Sequence, residues 1–335
     1  MRLLAPAKLN LYLRVGPRGG DGFHPLLTWM VTVGLFDTLV LRRSDAVGIT
    51  LNCDDPSVPA DRTNLVVRAI EAIVGTHQFE VGGVSVELRK AIPQAAGLGG
   101  GSSDAARAML GMGRLLGMHW PIERLARAAA GVGSDVPFFL YGPSSVCTGR
   151  GEVVRPIEPP KPRWAMLVLP RMKLATVEVY RRFDEMSECL VEKRRASSPA
   201  KREVHAEQHA LQEALPGATG SAEERALGSG ERAGVGAHQP DWQEWSGLSA
   251  GALLPRLVND LEPAAFSLRP ELNELRGRIE AQVARPVRMS GSGSSLFTLF
   301  DAAAEARAAA EQVQRDLQTR ALAVEVAPWI DDDLR

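Results

Sequence analysis

A cluster of small residues at 93–106 is the most restrictive feature of this sequence; it reads Pro-Gln-Ala-Ala-Gly-Leu-Gly-Gly-Gly-Ser-Ser-Asp-Ala-Ala. Its closely spaced glycines allow the backbone to adopt positive φ and to approach a ligand closely. A helical pattern begins at Asp104, so the two serines stand at a helix N-terminus, where free N–H groups and the helix dipole attract anions. The segment predicts a phosphate-binding loop; the alternative is a flexible turn ahead of a capped helix.

The loop differs from two better-known nucleotide motifs. No Gly-Lys-Ser or Gly-Lys-Thr follows the glycines, as a Walker A loop requires. The Gly-x-Gly-x-x-Gly spacing of dinucleotide-binding folds fails from Gly97, because Ser102 stands where the third glycine belongs. Neither of those nucleotide-binding folds is therefore predicted.

A strand pattern near the N-terminus carries a second candidate group. Lys8, Asn10 and Tyr12 alternate with leucines at 9, 11 and 13, which indicates a strand with two unlike faces. Lys8 and Asn10 then point the same way, and a lysine there is able to reach a phosphate or a catalytic carboxylate. An ordinary solvent-facing lysine fits the same pattern.

Two further segments carry candidate chemistry. Residues 290–295 read Ser-Gly-Ser-Gly-Ser-Ser between two predicted strands, which fits either a tight hairpin turn or a second cluster of N–H donors. Asp135 follows two small residues and precedes an apolar run. It is either a turn residue or cap, or a general base toward a substrate hydroxyl.

Strand and helix patterns alternate along the chain. Hairpin-like signals recur, which favours an α+β fold over a doubly wound parallel sheet. Residues 29–43 predict strands around a turn at Gly34 and Asp37, and residues 137–141 predict a short strand.

Residues from about 187 to 246 differ in composition from the rest of the chain. They are rich in Ala, Gly, Ser and charged residues and poor in large apolar ones, which predicts a disordered insertion. His205 and His209 stand four apart within it, but no third ligand is near, so a metal site is not favoured.

The bulk composition excludes several classes of function. The chain has 335 residues, a net charge of −1 and 45% hydrophobic residues, which gives no sign of a nucleic-acid-binding or membrane-binding surface. No apolar run is long enough to span a bilayer, the N-terminus lacks a signal-peptide pattern, and the three cysteines are far apart. We expect a cytoplasmic protein that binds neither nucleic acid nor membrane. The sequence indicates neither its oligomeric state nor its metal ligands.

Together these segments resemble the GHMP family of small-molecule kinases. Three motifs match in order: Pro-Ala-Lys-x-Asn at 6–10, Pro-x-x-x-Gly-Leu-Gly-Gly-Gly-Ser-Ser at 93–103 and Gly-Ser-Gly at 291–293. Three others resemble the branch of the family whose substrate carries a cytidine diphosphate group: Asp-Gly-Phe-His at 21–24, Gly-Ser-Asp-Val-Pro-Phe-Phe at 133–139 and Asn-Asp-Leu-Glu-Pro at 259–263. The resemblance covers nearly the whole chain except the insertion.

The resemblance implies a two-domain GHMP-kinase fold with the active site in the cleft between the domains. An ATP-binding domain at 1–160 and a C-terminal domain at 161–335, which contains the insertion, are expected. The implied activity is direct phosphoryl transfer from ATP, with Mg²⁺, to a hydroxyl of a small molecule bearing a cytidine diphosphate group, in isoprenoid precursor synthesis. Asp135 matches the family's catalytic base and Lys8 its partner.

The resemblance also implies binding residues. The expected ATP contacts are Lys90, Pro93, Gly97, Leu98, Gly99, Gly100, Gly101, Ser102 and Ser103. The expected substrate contacts are Asn10, Phe23, His24, Thr176 and Tyr180. Among these, His24 reads the cytosine edge through its ring nitrogens and backbone, while Phe23 and Tyr180 sandwich the base; for the last two, core packing is the alternative.

Other functions remain open from the sequence. A kinase of the same family acting on homoserine or mevalonate is the first, although neither compound has a base to stack on Phe23 and Tyr180. A non-catalytic nucleotide-binding protein is the second, and the presence of Lys8 and Asp135 argues against it. The insertion also allows an added segment that docks a partner.

Overall fold

The computed structural model describes residues 1–77, 83–197 and 240–334. Strands and helices alternate through these residues, as an α+β fold requires. The strands are β1 Arg2–Val15, β2 Leu26–Ser44, β3 Ile49–Cys53, β4 Gly83–Arg89, β5 Ser144–Thr148, β6 Val153–Pro156, β7 Trp164–Leu169, β8 Arg288–Met289, β9 Leu296–Phe300 and β10 Arg320–Glu325. The helices are α1 Leu65–His77, α2 Gly100–Leu115, α3 Ile122–Val132, α4 Phe138–Tyr141, α5 Thr176–Ser197, α6 Trp242–Ser246, α7 Ala250–Leu253, α8 Glu262–Leu268, α9 Pro270–Val283 and α10 Ala303–Leu317.

The first sheet is organised around the long strand β2. It pairs with β1 along one edge, and with β4 and β5 at opposite ends of the other edge. The path through the sheet is β3-β4-β2-β5-β6, and only the β3–β4 pair is parallel. Helices α1 and α2 cover this sheet, with Ile70 and Met109 fully buried in their shared core.

The second sheet is antiparallel, in the order β10-β7-β9-β8. Its strands read as continuous apolar runs because β7 and β9 are buried along nearly their whole length. One apolar core contains residues of both sheets, including Trp29 and Val31 of β2 with Leu167 and Phe297 of the second sheet. The predicted boundary near residue 160 falls between β6 and β7, and the division into two domains stays a prediction.

The predicted turn at Gly34 and Asp37 is wrong, because β2 continues through both residues. The pairing of β1 with β2 shifts between Pro6 and Ala7, which leaves Gly34 and Leu35 as extra residues on β2. As at a β-bulge, the extra residues bend the strand locally. It lies where β2 approaches the second sheet, since Val33 forms an isolated bridge with Val326.

The predicted strand at 137–141 is also wrong. Pro137 precedes one helical turn, α4, whose Phe138 and Phe139 rings are buried and pack edge to face at 4.9 Å between centroids. A short apolar run fits either a buried strand or a buried helix, and proline just before the first turn favours the helix.

The predicted insertion is too wide at both ends. Helix α5 continues to Ser197, and α6 begins at Trp242 after Asp241 caps its first turn through the N–H groups of Gln243 and Glu244. Trp242 is buried against Tyr12 and Trp29. The rest of the insertion, with His205 and His209, lies outside the described residues.

Candidate active site

The phosphate loop ends in helix α2, which begins at Gly100, before the Asp104 that the apolar pattern suggested. Gly99 stands at the N-cap with φ 68°, and Gly97 has φ 75°, both in the left-handed region that glycine adopts without strain. A Cβ added at Gly97 would lie 2.0 Å from the carbonyl oxygen of Ser290. The glycines are therefore required by close packing as well as by backbone conformation.

The loop at 290–295 supports the phosphate loop from the second sheet. It is the turn between β8 and β9, and the Ser290 hydroxyl donates to the Gly97 carbonyl at 2.9 Å. The same hydroxyl oxygen accepts from the N–H of Asn10 on β1 at 3.2 Å. The hairpin interpretation is correct, and this hairpin also joins the phosphate loop to β1.

Lys8 and Asn10 face the cleft from β1, as their alternation predicted. The ammonium of Lys8 donates to the Asn10 side-chain oxygen and lies 3.6 Å from Oδ2 of Asp135. The Lys8 side chain is almost fully buried, whereas that of Asp135 is 35% exposed. An ordinary solvent-facing lysine is therefore excluded. The structure brings the candidate base and its partner lysine together.

Tyr12 does not share that face, although the alternation placed it there. The pairing with β2 is irregular between Asn10 and Tyr12, so the side chains beyond this point change faces. Tyr12 is buried and packs edge to face against Trp242 and Trp245.

The expected nucleobase residues gather around the start of α5. Thr176 begins the helix, and its Oγ1 lies 2.9 Å from the hydroxyl of Ser292. Tyr180 follows one turn later, with its ring 5.2 Å from that of His24 between centroids. Phe23 is 51% exposed beneath the Arg150 guanidinium, which excludes the core-packing alternative for that residue.

The His24 ring is held at both nitrogens. Nδ1 lies 2.9 Å from the carbonyl oxygen of Gly16, and Nε2 lies 3.3 Å from Oδ1 of Asp184 on α5. The sequence analysis did not single out Asp184. Its spacing of four residues from Tyr180 on a helix was the available signal, because such residues share a face.

Lys90 belongs to a buried cluster that the sequence analysis missed. Its ammonium bonds one oxygen of Asp37 on β2 and lies 2.6 Å from Oδ2 of Asp104 on α2. The other oxygen of Asp37 accepts the N–H groups of Ala91 and Ile92, at the entry to the phosphate loop. The backbone N–H of Lys90 donates to Oδ1 of Asp54 at 2.8 Å, so only its stem and carbonyl remain for the expected contact with ATP.

The pKa values of this Lys90 cluster reflect burial and mutual attraction. Burial raises the pKa of Asp104 to about 7, with Lys90 acting against the rise and Asp37 reinforcing it. Burial lowers the pKa of Lys90, but the attraction of Asp104 and Asp37 outweighs it, so the net shift is upward. Fully ionised, the cluster would hold two negative charges against one positive charge with almost no solvent.

Two neutral groups adjoin the candidate base. Burial raises the pKa of the Tyr180 phenol, and the negative charge of Asp135 raises it further. The same two causes, in the same order, raise the pKa of the Cys147 thiol. Both groups are held protonated, which leaves Asp135 as the carboxylate beside Lys8.

These residues surround one cleft with a volume of about 1000 Å³. Its walls include every expected site residue except Ser103: Lys8, Asn10, Phe23, His24, Lys90, Pro93, Gly97, Leu98, Gly99, Gly100, Gly101, Ser102, Asp135, Thr176 and Tyr180. Ser103 is fully buried behind the loop, where its N–H donates to Gly99 at 2.9 Å. Its expected contact with ATP therefore stays a prediction that the geometry does not favour.

The cleft offers a binding site for the phosphates of a nucleoside triphosphate. The glycine loop leaves N–H groups at the start of α2 without a side-chain cap, and anions bind such helix ends. Within the described residues, no group of three or more His, Cys, Asp or Glu side chains is placed to hold a metal ion. Mg²⁺ commonly binds through substrate phosphates with few protein ligands. Oxygen donors that line the cleft include the Ser102 hydroxyl and the carboxylates of Asp135 and Asp184.

No helix in the described part of the chain is both long and apolar enough to cross a membrane.

Comparison with known proteins places these features in a family. Residues 64–143 match the GHMP kinases N terminal domain, and residues 238–319 match the GHMP kinases C terminal domain. A protein named 4-diphosphocytidyl-2-C-methyl-D-erythritol kinase from a Nocardioides species is 37% identical over 91% of this chain and 90% of its own length. A protein of the same name from Geobacter metallireducens is 31% identical over 93% of this chain and 94% of its own length.

Solved structures agree with these relatives. A crystal structure of 4-(cytidine 5'-diphospho)-2C-methyl-D-erythritol kinase superimposes with a TM-score of 0.69 at 32% identity, covering 98% of this chain and all of its own. Homoserine kinase from Cytophaga hutchinsonii shares the fold, with a TM-score of 0.64 at 17% identity over 98% of this chain and 95% of its own. The chain therefore belongs to the GHMP kinases and, within them, to the family of 4-diphosphocytidyl-2-C-methyl-D-erythritol kinases, enzymes that use ATP as co-substrate.

Proposed function

We propose that this chain transfers the γ-phosphate of ATP to the 2-hydroxyl of 4-diphosphocytidyl-2-C-methyl-D-erythritol, a step in non-mevalonate synthesis of isoprenoid precursors. The observation that carries the proposal is the Lys8–Asp135 pair, at 3.6 Å, in the same cleft as the phosphate loop and the rings of Phe23 and Tyr180. A phosphate-binding loop, a base and a surface for a nucleobase are thereby available to a single substrate complex.

Asp135 acts as the base in this proposal. Its carboxylate takes the proton of the 2-hydroxyl as that oxygen forms a bond to the γ-phosphorus and the bond to the bridging oxygen of ADP breaks. The carboxylate is partly exposed to the cleft, so a hydroxyl is able to approach it. No covalent enzyme intermediate is needed.

Lys8 holds the charges of this reaction. Its ammonium is fixed by the Asn10 side-chain oxygen, and the Lys8 N–H donates to the Leu98 carbonyl of the phosphate loop at 2.9 Å. A cation in this position attracts the Asp135 carboxylate and stabilises negative charge on the transferred group. Mg²⁺ bound with ATP would neutralise further phosphate charge.

Phe23 and Tyr180 provide the surface for the cytosine base. Stacking on an aromatic ring contributes about 1–3 kcal/mol per base in nucleic-acid complexes. Both rings line the cleft, and Phe23 is exposed enough to receive a ligand. Homoserine and mevalonate have no such group, which favours the cytidylyl substrate.

An assay with three acceptors tests the proposal. The purified protein is given ATP and Mg²⁺ with 4-diphosphocytidyl-2-C-methyl-D-erythritol, mevalonate or homoserine, and ADP formation and the phosphorylated product are measured. We expect turnover with the cytidylyl compound alone. Folded protein that binds ATP but does not phosphorylate this compound would reject the proposed substrate and leave the family assignment standing.

A further inference from the structure

We propose that Asp184 determines base specificity by positioning His24 and by accepting a hydrogen bond from the amino group of cytosine. The inference rests on the proposed function, since it concerns how the same cleft reads the cytidine diphosphate group. No motif noted in the sequence contains Asp184.

The His24 ring lies between two oxygens of the protein. Its Nδ1 lies 2.9 Å from a carbonyl oxygen of Gly16, and its Nε2 lies 3.3 Å from a carboxylate oxygen of Asp184. Both of these oxygens only accept hydrogen bonds. The ring is therefore held between the Gly16 carbonyl at Nδ1 and the Asp184 carboxylate at Nε2.

The position of the His24 ring limits what it is able to contact in the cleft. Both ring nitrogens of His24 face groups of the protein, which does not favour a contact between the ring and the base. The expectation that the ring nitrogens and backbone of His24 read the cytosine edge stays a prediction. His24 joins the loop before β2 to helix α5, and its ring packs against Tyr180 at 5.2 Å and against the edge of Phe183 at 5.9 Å between centroids.

An acceptor for the base lies on helix α5. Asp184 lines the cleft with its side chain 27% exposed, and the oxygen that faces His24 at 3.3 Å is Oδ1. Asp184 stands one helical turn beyond Tyr180, on the same face of α5. In the proposed complex, a base stacked on Tyr180 presents its edge to the Asp184 carboxylate, which lines the same cleft.

The two pyrimidines differ in the group at position 4. Cytosine carries an amino group at position 4, which donates hydrogen bonds, and carboxylates are its usual side-chain acceptors. Uracil carries a carbonyl oxygen at the same position, which places two acceptors against each other. A fixed carboxylate at this point selects cytosine by attraction and rejects uracil by repulsion.

Binding of CDP and UDP to the full-length protein tests this inference without requiring turnover. The dissociation constants of both nucleotides are measured by calorimetry for the wild type, Asp184→Asn and the control Glu185→Gln. Glu185 is the next residue on α5, and its carboxylate pairs with Arg182 and does not line the cleft. We expect the wild type and Glu185→Gln to prefer CDP, and Asp184→Asn to lose about tenfold or more of that preference.

A double-mutant cycle tests the positioning role. Because Asp184 and His24 act through one contact, the losses of CDP affinity in His24→Gln and Asp184→Asn should not add in the double variant. The KM for ATP should stay unchanged in all three, and thermal melting shows whether each variant is folded. Asp184→Ala serves as a second variant if Asp184→Asn does not fold.

The outcomes separate this inference from the proposed function. An Asp184→Asn protein that keeps the wild-type preference for CDP over UDP overturns the inference, as does an equal loss of affinity for CDP, UDP and ATP. Either result leaves phosphorylation of the cytidylyl substrate untouched. A wild type that discriminates CDP through Asp184 but phosphorylates a different cytidylyl alcohol would support the inference and reject the proposed substrate.

Discussion

Two lysine–carboxylate clusters approach adjacent glycines of the phosphate loop, and they differ in almost every physical respect. A Cβ added at Gly99 would lie 3.0 Å from Lys8, and one added at Gly100 would lie 3.3 Å from Asp37 of the Lys90 cluster. Lys8 faces one carboxylate at 3.6 Å across an open cleft. Lys90 is bonded to two carboxylates, each 2% exposed or less.

The difference shows that burial decides whether a lysine–carboxylate cluster is able to take part in a reaction or only stabilises the fold. The separation of Lys8 and Asp135 exceeds a hydrogen bond, so the carboxylate keeps lone pairs that a substrate hydroxyl is able to reach. The Lys90 cluster has no such opening, and its bonds instead fix the middle of β2, the residue after β4 and the start of α2 relative to one another. The same residue types thus serve a reaction in one place and hold its framework in the other.

Asp135→Asn removes the carboxylate of the Lys8–Asp135 pair, and of the variants below it should have the largest effect on activity. The amide keeps the shape of the side chain but accepts no proton, so kcat should fall by about 10²–10⁴-fold. Turnover with the cytidylyl substrate measures the loss, and an unchanged melting temperature shows that the fold is intact. Near-normal turnover would remove Asp135 as the base.

Lys90→Met should break the buried cluster with a loss of stability. It leaves two carboxylates buried without a cation, and removing one partner of a buried ion pair costs about 3–5 kcal/mol. Urea denaturation measures the free energy of unfolding. Lys161→Met, at an exposed lysine, is the matched control, and equal stability of the two variants would show that the Lys90 cluster does not support the framework.

Gly97→Ala and Gly101→Ala sharpen the comparison at the loop itself. The added methyl at Gly97 meets the Ser290 carbonyl and requires φ 75°, so a loss of about 1–3 kcal/mol of stability is expected. At Gly101 the nearest atom is a Leu65 methyl at 3.6 Å, so stability should not change. Because Gly101 lines the cleft, a higher KM for ATP in this variant would indicate that the nucleotide lies against it.

Asp104→Asn should give the smallest effect, one that depends on pH. Between about pH 4 and 7 the folded protein keeps a proton on Asp104 that the unfolded chain has released, so raising the pH favours unfolding. The variant lacks this proton. Relative to the wild type, it should therefore gain about 1–2 kcal/mol between about pH 5.5 and pH 7, measured by urea denaturation. A constant difference across that range would contradict the raised pKa.

The parts of the site that the sequence predicted are those carried by local patterns. The glycines of the loop and the alternation at Lys8 and Asn10 each reveal backbone geometry within a few residues. Asp37 and Asp104 were missed because their partner, Lys90, lies on a different element, so no local spacing pairs them with it. Asp184 had only its four-residue spacing from Tyr180 as a signal. Asp37 meets Lys90 53 residues later in the chain.

The errors in the fold have the same origin. The pairing of β1 with β2 leaves Gly34 as an extra residue within a continuous strand. The residue type at Gly34 does not indicate this. Trp242 was assigned to the insertion by its polar neighbours, yet it packs against the rings of Tyr12 and Trp29, more than 200 positions away. Long-range packing decided each case against the local pattern.

The hydroxyl of Ser290 connects two parts of the chain that are synthesised at different times. It ties the Gly97 carbonyl and the Asn10 N–H to a hairpin that the chain makes almost two hundred residues after the loop. During synthesis the loop therefore emerges long before the hairpin that secures it. A truncated chain ending after β6 would carry every glycine of the motif and still lack the Ser290 contacts, so we expect ATP binding to require the hairpin as well as the loop.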